Sequence, residues 1–313
     1  MNPNRRRWLV HAGAGALSAG VPLRAPAAGV PPSPPPSGAL ARKPIPSSGE
    51  TIPVIGVGTA RRYQGAAGEA ELAPLRDSLR KFLELGGSVI DTAPSYGDAE
   101  AVLGRLLRDL QPSVPVFLAT KVGAVGHAAG QAQIEQSFSR LPRRPLDLIA
   151  VHNLQDIDTQ LAQLRELKSA GRIRYLGATT SSDGQYQAFE AMMRKQALDF
   201  VQMDFALDNR GAGERLLPLA RDRGMGVMIN LPFGRGRLFE ATRGRPLPPW
   251  SAEFDCASWA QFFLKYIVSH EAVTCAIPGM AKPEYVVDNM GAARGRLPDQ
   301  AMRKRMETFI DAL

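Results

Sequence analysis

From residue 50 onward, short apolar runs of β type alternate with longer stretches in which apolar residues recur every three or four positions. The short runs are Val54–Thr59, Ser88–Thr92, Val116–Lys121, Leu146–His152, Arg174–Thr179, Phe200–Phe205, Gly226–Asn230 and Val273–Ile277. Their length and β-branched content predict strands. Between them, stretches such as Leu75–Leu85, Leu161–Ala170 and Trp259–Ile267 have the spacing of helices with one buried face. Strands alternating with helices predict a parallel sheet, and eight such units close into an α/β fold, the (β/α)8 TIM barrel. Reactive groups are then expected at the C-terminal ends of the strands. Gly56-Val57-Gly58 also follows a strand-like run, but position 61 is Arg61 and no helix begins there. The third glycine and the helix N-terminus of a dinucleotide fingerprint are both missing, so a doubly wound sheet is not expected.

The first 49 residues follow a different pattern. Asn4-Arg5-Arg6-Arg7-Trp8-Leu9 leads into a Gly- and Ala-rich apolar run ending at Leu23, and Ala25-Pro26-Ala27 has the A-x-A form of a cleavage site. Residues 1–28 therefore resemble a twin-arginine signal peptide. An ordinary secretory signal is the other reading, and both predict export, in a bacterium to the periplasm. The run is shorter than the roughly 20 apolar residues that span a bilayer, so no stable membrane anchor is expected. Residues 29–49 include Pro34-Pro35-Pro36. Proline on this scale cannot sit inside a helix or a central strand, which predicts an extended linker before a folded domain over 50–313.

Composition narrows the picture further. Apolar residues at 44% and charged residues at 22% suit a soluble chain with a sizeable core. The net charge of +8 falls to +4 without residues 1–28, whose four arginines face no acids. The remaining basic residues are interspersed with acidic ones, and no nucleic-acid partner is expected. Cys256 and Cys275 are the only cysteines. Two cysteines make neither a disulfide framework nor a metal cluster, so no metal is expected, while a bridge between them stays open.

The chemistry concentrates at four of the predicted strand ends. Asp91 and Tyr96 follow the second strand, Lys121 ends the third and His152 ends the fourth. An ammonium near a phenol favours the phenolate and lowers the phenol pKa, an effect expected of Lys121 on Tyr96. A buried lysine needs a carboxylate to keep its proton, and Asp91 is the nearest candidate. His152 can orient a carbonyl by hydrogen bonding. The set suits hydride addition to C=O, in which oxyanion charge builds up and must meet a placed proton donor.

The string Asp91-Thr92-Ala93-Pro94-Ser95-Tyr96-Gly97-Asp98-Ala99-Glu100-Ala101-Val102-Leu103-Gly104 resembles the D-T-A-x-x-Y-G-x-x-E-x-x-L-G signature of the aldo-keto reductase superfamily. Ala119-Thr120-Lys121, Val151-His152-Asn153 and the turn Gly171-Arg172-Ile173-Arg174-Tyr175-Leu176-Gly177 follow in the order of that family. The resemblance covers residues 50–313. It implies Tyr96 as general acid, Asp91 and Lys121 tuning it, and His152 positioning a small-molecule carbonyl substrate.

The resemblance also implies NADP(H) across the barrel mouth, with NAD(H) left open. Thr179 and Thr180 stand where the family has a Ser-Asn pair, and Gln202 matches a glutamine that holds the carboxamide. Leu231, Pro232, Phe233, Gly234 and Gly236 resemble the pyrophosphate loop. Gly279, Lys282, Asp288 and Asn289 resemble the adenosine-phosphate segment, with Lys282 expected on a 2′-phosphate.

Two departures stand out. Asn230 occupies the position of an aromatic ring that stacks on the nicotinamide, and Ala60 that of a substrate-pocket tryptophan. Arg61, Arg62 and Tyr63 lie near the expected substrate face, and Trp250 lies in the Pro-rich stretch after the seventh strand, placed either over the pocket or in the core. The leading expectation is an NADP(H)-dependent reductase of aldehydes or ketones. The alternative is a slow-turnover nucleotide-binding regulatory module of the same fold. A Schiff-base aldolase using Lys121 would leave Tyr96 unused.

Overall fold

The computed structural model describes residues 38–65 and 68–313. The expected signal segment and Pro34-Pro35-Pro36 lie outside the described residues. The chain opens with an antiparallel hairpin, β1 (Arg42–Pro44) paired with β2 (Thr51–Pro53). Eight parallel strands follow in sequence order: β3 (Val57–Gly58), β4 (Val89–Asp91), β5 (Phe117–Val122), β6 (Leu146–Val151), β7 (Ile173–Thr179), β8 (Phe200–Asp204), β9 (Gly226–Asn230) and β10 (Cys275–Ala276). Parallel bridges Ile55–Ala276 and Gly58–Gly279 join the first strand to the last and close the barrel. The (β/α)8 barrel is thus the fold. At the seam, a Cβ on Gly58 would lie 2.8 Å from the Ile277 carbonyl oxygen, so only glycine permits closure there.

Helices wrap the strands, among them α1 (Glu69–Glu84), α2 (Ala99–Leu110), α3 (His127–Arg140), α4 (Ile157–Ser169), α5 (Tyr186–Lys195), α6 (Ala212–Asp222), α7 (Arg237–Ala241), α8 (Trp259–Val268), α9 (Pro283–Gly291) and α10 (Gln300–Asp311). In α1, Leu72, Leu75, Leu79 and Phe82 form the buried stripe, while Glu69 and Glu71 occupy the first turn, where carboxylates suit the helix dipole. Every expected strand matches an observed one, with boundaries that differ by a few residues at most.

The linker expectation for residues 29–49 is corrected at its C-terminal end. Arg42–Pro44 pairs as a strand, and Ile45 is fully buried with Ile52 against the barrel-interior residues Phe117, Tyr175 and Phe200. Proline is tolerated in an edge strand, and two isoleucines stop the lower end of the barrel. Tyr175 Oη bonds to Ser48 Oγ at 2.8 Å and to Glu50, fixing the hairpin turn.

The period of two within a strand positions the site. Val89, Phe117, Leu148, Phe200 and Met228 fill the barrel interior. Counting two residues toward the C-terminal end from each inward position reaches Asp91, Lys121 by way of Ala119, His152 by way of Ala150, Gln202 and Asn230. The same alternation that packs the core therefore gathers the polar groups at the upper rim.

Cys256 and Cys275 are both buried and not bridged. Trp250 joins a side cluster with Phe254, Phe262 and Phe309, which resolves its placement in favour of packing.

Candidate active site

Lys121 and Asp91 form the centre of the site. They are 2% and 4% exposed, and Lys121 Nζ lies 2.8 Å from both Asp91 oxygens and 2.9 Å from the Thr92 carbonyl oxygen. The ammonium is thereby held by one carboxylate and one backbone carbonyl. Burial alone would depress the Lys121 pKa, but the Asp91 carboxylate and Tyr96 outweigh it and hold the ammonium charged. Gln202 Nε2 donates to Asp91 Oδ1 at 3.0 Å, so a neighbouring amide fixes the carboxylate.

Tyr96 reaches this pair from the turn after β4. Its N–H bonds to the Ala93 carbonyl, Gly97 takes φ +60°, and Asp98 accepts from Gly65 N–H at 2.7 Å, tethering the turn to the loop after β3. Lys121 Nζ lies 5.1 Å from the Tyr96 ring centroid. The expectation of an acidified phenol is corrected in its net direction. Burial raises the Tyr96 pKa above the ordinary phenol value, Lys121 opposes this and Asp91 adds to it. Tyr96 therefore keeps its proton at neutral pH, the state a proton donor requires, and the Lys121 charge beside it favours the anionic form of the phenol.

The His152 ring meets Tyr96 edge-on, with centroids 5.9 Å apart. The backbone just beyond is forced, with Asn153 at φ 50° and Leu154 at φ 61°, a conformation uncommon for residues with a Cβ. Ser95 Oγ sits 3.2 Å from His152 Nδ1. Ser95, one residue before Tyr96 in the signature-like string, occupies one of its variable positions, so the pattern alone gives it no role. When its hydroxyl donates to Nδ1, the proton of the neutral ring sits on Nε2 and is available to an acceptor.

Burial, with the Lys121 charge second, lowers the His152 pKa from 6.5 to about 4, and burial does the same to His270. The ring is therefore neutral at pH 7. Unfolded histidines take up a proton near pH 6.5, which the folded rings refuse until about pH 4. Stability contributed by the neutral rings is thus complete above pH 6.5 and declines as pH falls toward 4. Urea unfolding of His152→Gln is expected to lose less stability between pH 7 and pH 5 than the parent. Parallel loss in both proteins would refute the depressed His152 pKa.

Glu100, the glutamate of the signature-like string, is fully buried and serves the frame. It accepts from Thr120 Oγ1 at 2.6 Å and from Arg140 at 3.2 Å, holding the start of α2 against the strand that carries Lys121.

The remaining expected contacts are less uniform. Thr179 Oγ1 accepts from Asn153 N–H at 3.0 Å, and Thr180 Oγ1 donates to Gln185 at 2.8 Å, so both hydroxyls are engaged within the protein. Asn230 Nδ2 donates to the Thr180 carbonyl at 2.9 Å. Leu231, Pro232, Phe233, Gly234 and Gly236 form a loop of left-handed backbone beyond β9, with φ 50° at Leu231, 55° at Gly234 and 99° at Gly236. A Cβ on Gly234 would lie 2.2 Å from the Asp208 carboxylate, which makes glycine necessary there. Gly279 lies at the seam beside Arg62, and Lys282 is exposed at the N-cap of α9. Asp288 accepts from Ser258 Oγ, the N-cap of α8, at 2.6 Å and from Gln261 Nε2 at 3.0 Å, and Asn289 is buried.

Among the described residues, Asp204 Oδ1 and Asn230 Oδ1 at the ends of β8 and β9, and Thr59 Oγ1 and Thr92 Oγ1 just beyond β3 and β4, are buried without a hydrogen-bond partner. A buried polar atom left unpaired costs about 1–3 kcal/mol, a cost that a bound polar group can remove.

Residues 54–308 match the Aldo/keto reductase family. The chain belongs to that family. Among relatives of this aldo/keto reductase, Methylglyoxal reductase YeaE of Escherichia coli (strain K12) is 31% identical over 260 residues, covering 80% of this chain and 89% of the relative. The NADH-specific methylglyoxal reductase of the same organism is 27% identical over 225 residues, covering 62% of this chain and 68% of the relative. An aldo-keto reductase of Klebsiella pneumoniae, solved in complex with NADPH, is 25% identical with a TM-score of 0.69, covering 87% of this chain and 96% of that one.

Proposed function

We propose that this aldo/keto reductase uses NADP(H) to reduce a small aldehyde or ketone to its alcohol, with Tyr96 as the general acid. The observation that carries the reading is the buried Lys121–Asp91 pair set 5.1 Å beneath the Tyr96 ring, with His152 edge-on to the same ring. A carbonyl oxygen received between the Tyr96 hydroxyl and His152 Nε2 meets a proton donor on one side and a neutral hydrogen-bond donor on the other. The nicotinamide, when bound, supplies the hydride. As charge grows on the oxygen, the Tyr96 proton moves to it, and the Lys121 ammonium steadies the phenolate that remains. The Asp91 carboxylate helps keep Lys121 charged.

Gln202, the loop from Leu231 to Gly236 and the segment at Gly279 are the groups that would hold the dinucleotide. Exposed Lys282 supports preference for a 2′-phosphate, as does the Klebsiella relative crystallised with NADPH, although an NADH-specific relative exists. The methylglyoxal reductase relatives make a 2-oxoaldehyde the first substrate to test. Purified protein is expected to oxidise NADPH on addition of methylglyoxal or small aldehydes, faster than NADH. Absence of turnover with every carbonyl, in protein that still binds NADPH tightly, would favour the slow regulatory module instead.

Export to the periplasm by the twin-arginine machinery is part of the same proposal and is supported by Arg5-Arg6-Arg7-Trp8-Leu9 and Ala25-Pro26-Ala27. Replacing Arg5, Arg6 and Arg7 with lysine is expected to leave full-length protein in the cytoplasm. An unchanged periplasmic fraction would refute that route.

A further inference from the structure

Two residues that carry a partnerless atom, Asp204 and Asn230, are strand neighbours. Asp204 and Asn230 are opposed in the parallel register of β8 and β9, each as the last residue of its strand. Gln202 and Met228 stand two residues earlier, facing the barrel interior, so Asp204 and Asn230 project to the same side. Asp204 Oδ2 accepts from Asn209 Nδ2 at 2.8 Å, while Oδ1 is buried without a donor. Asn230 Oδ1 is in the same condition.

The orientation of the Asn230 amide is settled by its other end. Nδ2 donates to the Thr180 carbonyl at 2.9 Å, and turning the amide over would set two carbonyl oxygens against each other. Oδ1 is therefore fixed as an acceptor, beside a second acceptor, at the end of the strand next to the one that carries Gln202. Among the described residues, neither oxygen has a donor within hydrogen-bond distance, the nearby Tyr186 hydroxyl being given to the Asp204 carbonyl.

We propose that Asn230 Oδ1 accepts a hydrogen bond from the carboxamide amino group of the nicotinamide. This chain then orients the cofactor ring by a directed bond at a position where an aromatic side chain would only stack. The inference rests on the dinucleotide reading given above. The carboxamide is the part of the nicotinamide ring that offers N–H donors, and Asp204 Oδ1 adds a second acceptor on the same side.

The test compares NADP⁺ with its 3-acetylpyridine analogue, in which a methyl group replaces the amino group while the carbonyl and both riboses are kept. Binding is followed by calorimetry or by quenching of protein fluorescence, without turnover. The native protein is expected to bind NADP⁺ about tenfold more tightly than the analogue. In Asn230→Ala and Asn230→Val that preference is expected to shrink at least about fivefold, chiefly through weaker NADP⁺ binding. Because both ligands are measured on one protein, partial misfolding cancels from the ratio. A native preference below about threefold overturns the proposal without any variant, as does a ratio unchanged by both substitutions, which would assign the donor to a ribose hydroxyl or to water. Failure to bind either nucleotide would instead overturn the cofactor reading itself.

Discussion

Tyr96→Phe is expected to slow carbonyl reduction by about 10²- to 10⁴-fold while leaving nucleotide affinity within about a factor of two. The substitution removes one oxygen and leaves the ring, which still packs over Lys121 and against His152. What is lost is the proposed donor of a proton to the nascent alkoxide, set beside the Lys121 ammonium that would steady the resulting anion. Burial holds the phenol pKa above its ordinary value, so the acid limb of the native reaction is not set by Tyr96. Its loss of activity should appear only above the usual phenol range. Stopped-flow oxidation of NADPH, with nucleotide binding measured separately, checks both halves. Equal rates in the two proteins would remove Tyr96 from the chemistry.

Lys121→Met is expected to destabilise the protein by about 3–5 kcal/mol and to abolish turnover. The cost arises from Asp91, which at 4% exposure would keep one hydrogen bond from Gln202 and lose its cation. A buried carboxylate in that condition takes up a proton, and the site loses the charge that stabilises a Tyr96 phenolate. The paired change Lys121→Met with Asp91→Asn should recover much of the stability, because a well-packed neutral pair avoids the desolvation of both ions, yet it should remain inactive. Urea titrations of the three proteins decide the point. A Lys121→Met protein as stable as its parent would mean that the ion pair does not act as a unit.

Much of the architecture was legible because the barrel repeats one local instruction eight times. Gly226–Asn230 was read to the residue, and the strand carrying Lys121 to within one position at each end, since their apolar runs are bounded by turn residues. The short strands β3 and β10 were overestimated. Their neighbours Ile55 and Ile277 look strand-like, but only the seam bridges pair there. The hairpin β1–β2 went unread because its prolines argue for a linker, and only the open lower end of the barrel rewards burial of Ile45 and Ile52.

The candidate site divides in the same way. Asp91, Tyr96, Lys121 and His152 were visible as residue types at strand ends, and the long signature string tied them to one family. Three features were beyond reach: the bond from Lys121 to the Thr92 carbonyl, the bond from Gln202 to Asp91, and the nearness of Ser95 to His152. Asp288, expected at the nucleotide, is drawn to the start of α8 by Ser258 and Gln261. Each of these depends on groups far apart in sequence.

By itself the sequence determined the order of strands and helices, the face on which polar groups gather and the four residues suited to a proton-coupled hydride transfer, because periodicity and residue type are local properties. Only the tertiary structure decided which way the Tyr96 pKa moves and which polar atoms are left without partners. Both are sums over burial and neighbours that come together only when the barrel closes.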